Sequence, residues 1–323
     1  MKRLKEDPKA PAPSIHVPWT SAYDLDLDEA VEKIISVLID KHDAKTDPGG
    51  LTPKQEKALK QEFKKSQEGL SPFSKFLEAI AKKMGAQAEI GPMKEWHRIV
   101  AKSHAAQGRK LNDLGRGRIF VDDPEQVKKF YKIMSGKDEE GYIPGTAKNA
   151  FILPDSYNDY LATPRSSGYA GGINFDLHVN AHKGNGGGTL EVQIMPRGYK
   201  ETYDHSHKLF DIIRILAEIP EKLRSEQQQY ILDGLVIANA ALFDEYAFRT
   251  GFGALRTKPI KELDKASVAH ARDVVERLYS KLKDFHGRKR PWMEETTEAL
   301  SYSKTSVLNM TNWTVRPGPE HSR

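Results

Sequence analysis

The chain has 323 residues, of which 38% are hydrophobic and 29% are charged, and its formal net charge is +5. It contains no cysteine, which excludes disulfides, thiolate metal sites and cysteine nucleophiles. No apolar run approaches the roughly 20 residues that a membrane-spanning helix requires. The start of the sequence lacks the apolar core of a signal peptide, so we expect a soluble, cytoplasmic protein with no membrane partner. A net charge this small permits an anionic substrate without identifying one.

The first third of the chain is predicted to be a tail followed by helices. Residues 1–22 are polar and contain prolines, which indicates a flexible tail. Over residues 23–90, apolar residues recur at helical spacing, and Pro48-Gly49-Gly50 ends the first helix. A charged helix at about 53–68 and an amphipathic helix at about 72–84 follow it. We therefore predict a helical N-terminal region over 23–90.

The middle of the chain, residues 91–203, changes from helical to strand spacing. It holds a short basic helix, a strand at 117–121 and a helix that begins near Pro124. Apolar and polar residues then alternate from Ile173 to Val179, and a glycine-rich turn at 184–188 connects this strand to a second one at 189–195. These patterns indicate a small mixed sheet.

The last third is predicted to be helical again. Residues 204–286 contain three segments of helical spacing, at about 204–219, 223–247 and 264–285. Residues 287–323 have the composition of a polar tail. The complete order predicts an α+β fold, in which helices frame a small mixed β-sheet and extend it at both ends.

A basic stripe begins the middle region. Lys94, Arg98 and Lys102 are spaced i, i+4 and i+8, which places them on one side of a helix. Like charges at this spacing repel each other by a few tenths of a kcal/mol per pair, and a bound polyphosphate would relieve the repulsion. A solvated helix face explains the same pattern without a ligand.

Two acids lie next to predicted strands. Asp113 precedes the first strand, and Glu191 faces away from the apolar side of the last strand. Mg²⁺ takes one or two carboxylates and gathers phosphate oxygens, so this pair suits a phosphoryl- or pyrophosphoryl-transfer site, with Arg116 and Arg118 facing the remaining phosphate charge. The alternative is that Asp113 caps a turn and Glu191 only faces solvent.

A loop between the strands combines a basic and an aromatic residue. It runs from Asn158 to Tyr169, and Pro164 and Gly168 restrict its shape. Arg165 can bind phosphate and Tyr169 can stack on a base, although a tyrosine after a glycine also serves ordinary packing. His205 and His207 lack a third metal ligand at a recognisable spacing, so we expect structural or supporting roles for them.

Together, these motifs resemble the synthetase domain of the RelA/SpoT alarmone family over about residues 90–210. The basic helix resembles Lys94 to Lys102, and the family's strand entry resembles Asp113-Leu114-Gly115-Arg116-Gly117-Arg118. The family's loop is matched from Asp159 to Tyr169, and its Glu-x-Gln strand by Glu191-Val192-Gln193. The sequence departs from the family pattern in three places: Pro92 replaces an arginine, Asn174 stands in place of a histidine, and Met195-Pro196 stand where an Arg-Thr pair is common.

The resemblance implies a nucleotidyltransferase-like sheet and a role for each matched residue. Asp113 and Glu191 are expected to be catalytic and to bind Mg²⁺, the implied cofactor. The ATP phosphates are expected to contact five cations, Lys94, Arg98, Lys102, Arg116 and Arg118. The acceptor is expected to contact four residues, Arg165, Tyr169, Asn174 and Gln193.

The resemblance also implies a reaction, the transfer of the β,γ-pyrophosphate of ATP to the 3′-hydroxyl of GDP or GTP, which yields (p)ppGpp. The sequence resembles a stand-alone synthetase because it has no hydrolase motif. Toxin-type relatives, which use the 3′ end of tRNA or adenosine nucleotides as acceptors, stay open, since basic runs occur at 54–65 and 281–290. A non-catalytic nucleotide-binding module, an antitoxin partner and a homo-oligomer also stay open.

Overall fold

The computed structural model of the chain describes residues 27–46, 51–105, 111, 113–135, 150–153, 156–179, 188–284 and 290–311. The predicted tail at 1–22 lies outside these residues. Among the described residues, no helix combines the length and the apolar composition that crossing a membrane would require. The helices in this part of the chain are α1 (Leu27–Thr46), α2 (Pro53–Glu68), α3 (Leu70–Met84), α4 (Trp96–Ala105), α5 (Pro124–Met134), α6 (Tyr199–Ala217), α7 (Glu226–Thr250), α8 (Lys265–Asp284) and α9 (Pro291–Asn309).

The strands form one mixed sheet, so the α+β prediction is confirmed. They are β1 (Gln87–Ile90), β2 (Arg116–Val121), β3 (Ala150–Ile152), β4 (Asn158–Asp159), β5 (Ile173–Val179) and β6 (Gly188–Pro196). The strand order is β1-β2-β6-β5-β3, and β4 pairs with β5. β2 and β6 run parallel, whereas the other described pairs are antiparallel. Most of the predicted glycine-rich turn between β5 and β6 lies outside the described residues.

The two faces of the sheet differ because alternate side chains point to opposite sides. The apolar face packs on α3 and α5 around residues such as Phe73, Phe130 and Phe175. Gly117 allows α3 to approach β2 closely, since a Cβ atom there would lie 2.0 Å from Leu77 Cδ1. The other face carries polar side chains and lies against α6.

A second core is purely helical and joins the two ends of the chain. It is built from α1, α6, α7, α8 and α9, with members such as Ile35, Leu216, Leu235 and Leu278 fully or nearly fully buried. The predicted helical region at 23–90 is therefore divided between two cores, because α1 joins the C-terminal helices while α2 and α3 join the sheet. The same range also contains the edge strand β1, which the sequence interpretation missed.

The polar tail predicted over 287–323 is wrong in its described part. Pro291–Asn309 forms α9, which packs into the helical core through residues such as Met293, Leu300 and Val307. Thr296 and Ser303 occupy buried positions between them. Their hydroxyls donate to Trp292 O and Ala299 O, each at 2.7 Å, so these two side chains are buried with their hydrogen bonds satisfied.

Candidate active site

Asp113 lies between two lysines at the entry to β2. The segment is held by a small apolar cluster in which Ile99 of α4 and Leu114 are almost completely buried. Lys94 N also donates to Leu114 O at 2.9 Å. The Nζ atoms of Lys94 and Lys102 both donate to Asp113 Oδ2. Lys94 and Lys102, two of the five cations predicted to bind phosphate, therefore share one carboxylate oxygen of Asp113.

The predicted basic stripe is only partly helical. α4 begins at Trp96, so Lys94 precedes the helix, and the expected i, i+4, i+8 placement on one helix is wrong for this residue. Lys94 instead lies on the segment between β1 and α4, beside Leu114. Arg98 and Lys102 are on α4, and Arg98 is exposed in the same cleft.

Burial and charge oppose each other at this cluster. Burial by itself raises the pKa of Asp113, but the hydrogen bonds and charges of Lys102 and Lys94 outweigh it and lower the pKa to about 2. Burial lowers the pKa of Lys94, and the charges of Lys102 and Arg116 lower it further, so that the pKa lies below its ordinary value although Asp113 raises it. Asp113 therefore remains charged at neutral pH, since its carboxylate is stabilised by two cations.

Glu191 is held by a hydrogen-bonded network across β2 and β6. Arg116 is directly opposite Glu191 in the parallel register, and Arg118 is opposite Gln193. Arg116 Nε donates to Glu191 Oε2 at 2.7 Å, and Gln193 Nε2 donates to Glu191 Oε1 at 3.3 Å. Arg118 Nε donates to Gln193 Oε1 at 3.2 Å. Because arginine has only donors, Arg118 orients the Gln193 amide so that its NH₂ group faces Glu191.

Asp113 and Glu191 belong to neighbouring parts of the sheet. Glu191 N donates to Gly115 O at 3.1 Å, which places β6 beside the segment that leaves Asp113. Burial lowers the pKa of Arg116, but Glu191, Tyr203 and Asp113 together raise it above its ordinary value. Arg116 therefore lies within the field of both acids.

Two cavities meet at this network. The larger, which we call the basic cleft, has a volume of about 810 Å³, and the smaller, which we call the aromatic cavity, has a volume of about 200 Å³. The basic cleft contains all five predicted phosphate-binding cations, together with Glu89, Glu95, Asp113 and Asp204. The aromatic cavity contains Glu191 and all four predicted acceptor-binding residues. Arg116, Tyr203 and His207 line both cavities and separate them.

The loop before Tyr169 is fixed by its own hydrogen bonds and by α7. Gly168 has φ +80°, a left-handed conformation that favours glycine, and its N–H donates to Arg165 O at 2.9 Å. Asn239 Nδ2 of α7 donates to Ser167 O at 2.7 Å. The Arg165 guanidinium lies 4.4 Å from the ring centroid of Tyr160 and 5.9 Å from that of Tyr169. Arg165 thus remains exposed at the mouth of the aromatic cavity.

Tyr169 is packed among aromatic rings. Tyr160, Tyr203 and Phe243 approach it edge to face, with centroid distances of 5.4, 6.1 and 5.3 Å. Burial raises the pKa of Tyr169 and Tyr203 adds to this effect, while Arg165 lowers it. The phenol therefore stays neutral at physiological pH and presents a rigid aromatic surface to the cavity.

Sequence reasoning missed the contribution of α6. Tyr203, His207 and Phe210 lie on one helix face at i, i+4 and i+7, and all three line the aromatic cavity. Arg118 lies 5.9 Å from the Tyr203 ring, and Tyr203 is stacked near His207. The spacing of these three residues predicts a shared helix face, but nothing in the sequence indicated that this face packs against the sheet. His205 differs from His207: it stacks on Tyr302 of α9, with a centroid distance of 4.5 Å.

The donor set suits one kind of metal site. Among the described residues, no group of three or more His, Cys, Asp or Glu side chains is arranged to hold a metal ion. Asp113 and Glu191 therefore do not form a closed protein cage. They fit Mg²⁺ that brings its own phosphate and water ligands, because this ion commonly takes only one or two carboxylates from the protein.

The basic runs considered for tRNA lie elsewhere. In the part of the chain that the structure describes, no lysine of the run at 54–65 or of the run at 281–290 lines either cavity. Several pair with acids, as Lys60 does with Glu56 at 2.8 Å and Lys281 with Glu32 at 2.7 Å. The ordinary interpretation as solvated helix faces accounts for these residues.

Comparisons with known proteins add little to this description. No family model and no curated protein matches the chain. Among solved structures, it is similar to the crystal structure of small alarmone synthetase 1 from Bacillus subtilis bound to its product pppGpp, with 16% identity and a TM-score of 0.32. The match covers 52% of this chain and 79% of that one.

Proposed function

We propose that the chain is an ATP-dependent pyrophosphokinase that transfers the β,γ-pyrophosphate of ATP to the 3′-hydroxyl of GDP or GTP. One observation carries the proposal: the basic cleft and the aromatic cavity meet at Arg116, with Asp113 in one and Glu191 in the other. A transfer between two nucleotides requires two adjacent sites that share the reacting centre.

The basic cleft is the proposed ATP site. Its volume of about 810 Å³ lies within the range of about 300–1,000 Å³ that small-molecule sites occupy. Lys94 and Lys102 would exchange Asp113 for phosphate oxygens, and Arg116 and Arg118 would face the transferred group from β2. Asp113 and Glu191 would hold Mg²⁺, which supplies charge neutralisation when bound.

The aromatic cavity is the proposed acceptor site. At about 200 Å³ it is smaller than that range, so it suits the nucleoside part of an acceptor whose phosphates remain outside, near the exposed Arg165. Tyr169 offers an aromatic surface to the base. Glu191 lines this cavity and is oriented by Arg116 and Gln193, and in the proposed reaction it would receive the proton of the attacking hydroxyl.

The proposed step balances without a further reactant. The acceptor 3′-oxygen forms a bond to the β-phosphorus of ATP, and the bond between that phosphorus and the oxygen bridging to the α-phosphate breaks. AMP leaves with the bridging oxygen, and the hydroxyl proton passes to Glu191. Alignment and charge neutralisation by this chain's residues supply the acceleration.

A radiolabel assay tests the proposal. Purified protein is incubated with Mg²⁺ and ATP labelled at the γ-phosphate, separately with GDP, GTP, ADP and bulk tRNA. We expect label on GDP or GTP and none with Asp113→Asn. Label on ADP or tRNA alone would keep the mechanism but overturn the acceptor, whereas transfer to no acceptor would overturn the enzymatic proposal.

A further inference from the structure

Ser206 lines the aromatic cavity and has a buried side-chain hydroxyl. The residue lies on the face of α6 that meets the sheet, between Tyr203 and Phe210, and it lines the cavity with them. The residue is only 1% exposed to solvent. Among the described residues, Ser206 Oγ has no hydrogen-bond partner.

A matched serine shows what this helix position ordinarily does. Ser303 in α9 is 0% exposed, and its Oγ donates to Ala299 O at 2.7 Å, one turn earlier on its own helix. This return bond is the usual solution for a buried helical serine. The equivalent acceptor for Ser206 would be the backbone carbonyl of Thr202, one turn earlier on α6, but Ser206 does not donate to it. A buried polar group without a partner opposes folding, so its presence requires an explanation.

The other polar groups of the cavity narrow the explanation. Glu191 and Gln193 are already joined to each other and to Arg116 and Arg118. Asn174 lines the same cavity, where its side chain is hydrogen-bonded to the Tyr169 phenol and keeps further donor and acceptor capacity. Ser206 and Asn174 can therefore contact a ligand that has polar atoms on its edge and aromatic contacts on its faces, which describes a nucleobase.

We propose that Ser206 determines acceptor specificity by hydrogen-bonding a polar edge atom of the acceptor's base. This inference rests on the proposed function, since it assigns the aromatic cavity to a nucleoside. Among the described residues the hydroxyl has no partner, and because a serine side chain can change rotamer, it can turn towards the cavity and gain a partner when the acceptor binds. The hydrogen bond that the Ser206 hydroxyl lacks in the free protein would then form in the complex and contribute to the free energy of acceptor binding.

The test compares Ser206→Ala with Ser303→Ala as the matched control. Binding of GDP, of ADP and of a non-hydrolysable ATP analogue is measured by calorimetry, and the thermal midpoint is measured without nucleotide. We expect Ser206→Ala to weaken binding of the preferred acceptor about 3- to 10-fold, the value of one hydrogen bond, and to leave the ATP analogue unaffected. Its thermal midpoint should stay equal or rise, because an unmet buried hydroxyl is removed.

The outcomes separate this inference from the function on which it rests. If the wild-type protein binds none of the three nucleotides, the proposed function fails and the role of Ser206 fails with it. If the wild-type protein binds them and Ser206→Ala binds the acceptor equally well, only the role of Ser206 is overturned. A lower midpoint with equal weakening of all three ligands would assign Ser206 a structural role instead. Ser303→Ala should leave every affinity unchanged.

Discussion

Ion pairs occur both on the polar face of the sheet and next to α7, and their side chains differ in how far they are exposed to solvent. Asp113 and Glu191 are 19% and 17% exposed, and their partners Lys94, Lys102 and Arg116 are 26%, 46% and 30% exposed. The Arg256 side chain, which pairs with Asp244 of α7, is only 4% exposed.

The difference in burial decides whether a ligand can replace one partner of the ion pair. The sheet pairs face cavities, so a ligand can replace either partner without exposing the other to an apolar interior. Arg256 donates to Asp244 Oδ1 at 2.8 Å and to Tyr160 O and Leu161 O at 3.0 and 2.9 Å. It therefore connects α7 to the loop that carries Tyr169. Exchangeable pairs that face a cavity belong to a site. The Arg256 pair, in which the arginine is enclosed while the Asp244 side chain is 24% exposed, belongs to the scaffold that positions the site.

The largest effect is expected for the acids of the site. Asp113→Asn and Glu191→Gln should each lower the transfer rate by roughly 100-fold or more, since each removes a proposed metal ligand, and should leave the protein folded at the assay temperature. The rate is measured with labelled ATP, and the thermal midpoint by calorimetry. Asp122→Asn is the matched control: Asp122 follows β2 and pairs with Arg197 outside both cavities. Similar losses in all three variants would contradict the site assignment.

Arg256→Ala should reduce the free energy of unfolding by about 1.5–3 kcal/mol, because it leaves a partly buried carboxylate and two carbonyls without their donor. Burial already raises the pKa of Asp244, although Arg256 offsets the effect. Urea denaturation measures the loss. Arg272→Ala, which breaks an exposed pair with Glu276, should reduce it by at most about 1 kcal/mol. Equal losses would erase the contrast between exchangeable and enclosed pairs.

Lys102→Met should strengthen the binding of Mn²⁺ to the nucleotide-free protein by about 10-fold, since one cation that competes for Asp113 is removed. The same variant should weaken binding of a non-hydrolysable ATP analogue. Mn²⁺ binding is followed by electron paramagnetic resonance, with Lys128→Met, at a surface pair with Glu125, as the control. Unchanged Mn²⁺ affinity would show that Asp113 is not part of a metal site.

The smallest effect concerns pH and the helical core. Burial lowers the pKa of His270 below its ordinary value of 6.5, although its bond to Tyr230 O and the charges of Asp233 and Asp273 oppose this. The unfolded chain then binds the proton more readily, so the stability from neutral His270 is complete above about pH 6.5 and is lost as the pH falls through the folded pKa.

The slope of unfolding free energy against pH measures this contribution, which is at most about 1.4 kcal/mol per pH unit for one proton. His270→Gln should flatten the slope below pH 6.5. His97→Gln, at a side chain that is 72% exposed, should leave it in place. An unaltered slope in His270→Gln would mean that this histidine does not titrate differently on folding.

Local patterns predicted several elements well. The charged helix at 53–68 was predicted with its observed bounds, and Thr52 and Gln55 form a capping box at its start. Asp123 caps α5 at the predicted Pro124. The alternation from Ile173 to Val179 is strand β5, with its apolar residues buried. These signals operate within a few residues, so no distant part of the chain is needed to read them.

Other elements were missed because their signal depends on distant partners. β1 has four residues with a weak alternation, and only pairing with β2 makes it a strand. α9 was taken for a tail because Thr296 and Ser303 fill core positions that usually hold apolar residues. Their hydroxyls bond to their own helix, which makes burial possible without an apolar side chain.

The sequence by itself determined which residue types were candidates for the site and their order along the chain. The tertiary structure decided that Lys94 and Lys102 share Asp113, that Arg116 holds Glu191, and that a face of α6 completes the aromatic cavity. The physical reason is that these contacts cross between elements far apart in the chain. Strand register and helix packing set such contacts, and local spacing alone does not encode them.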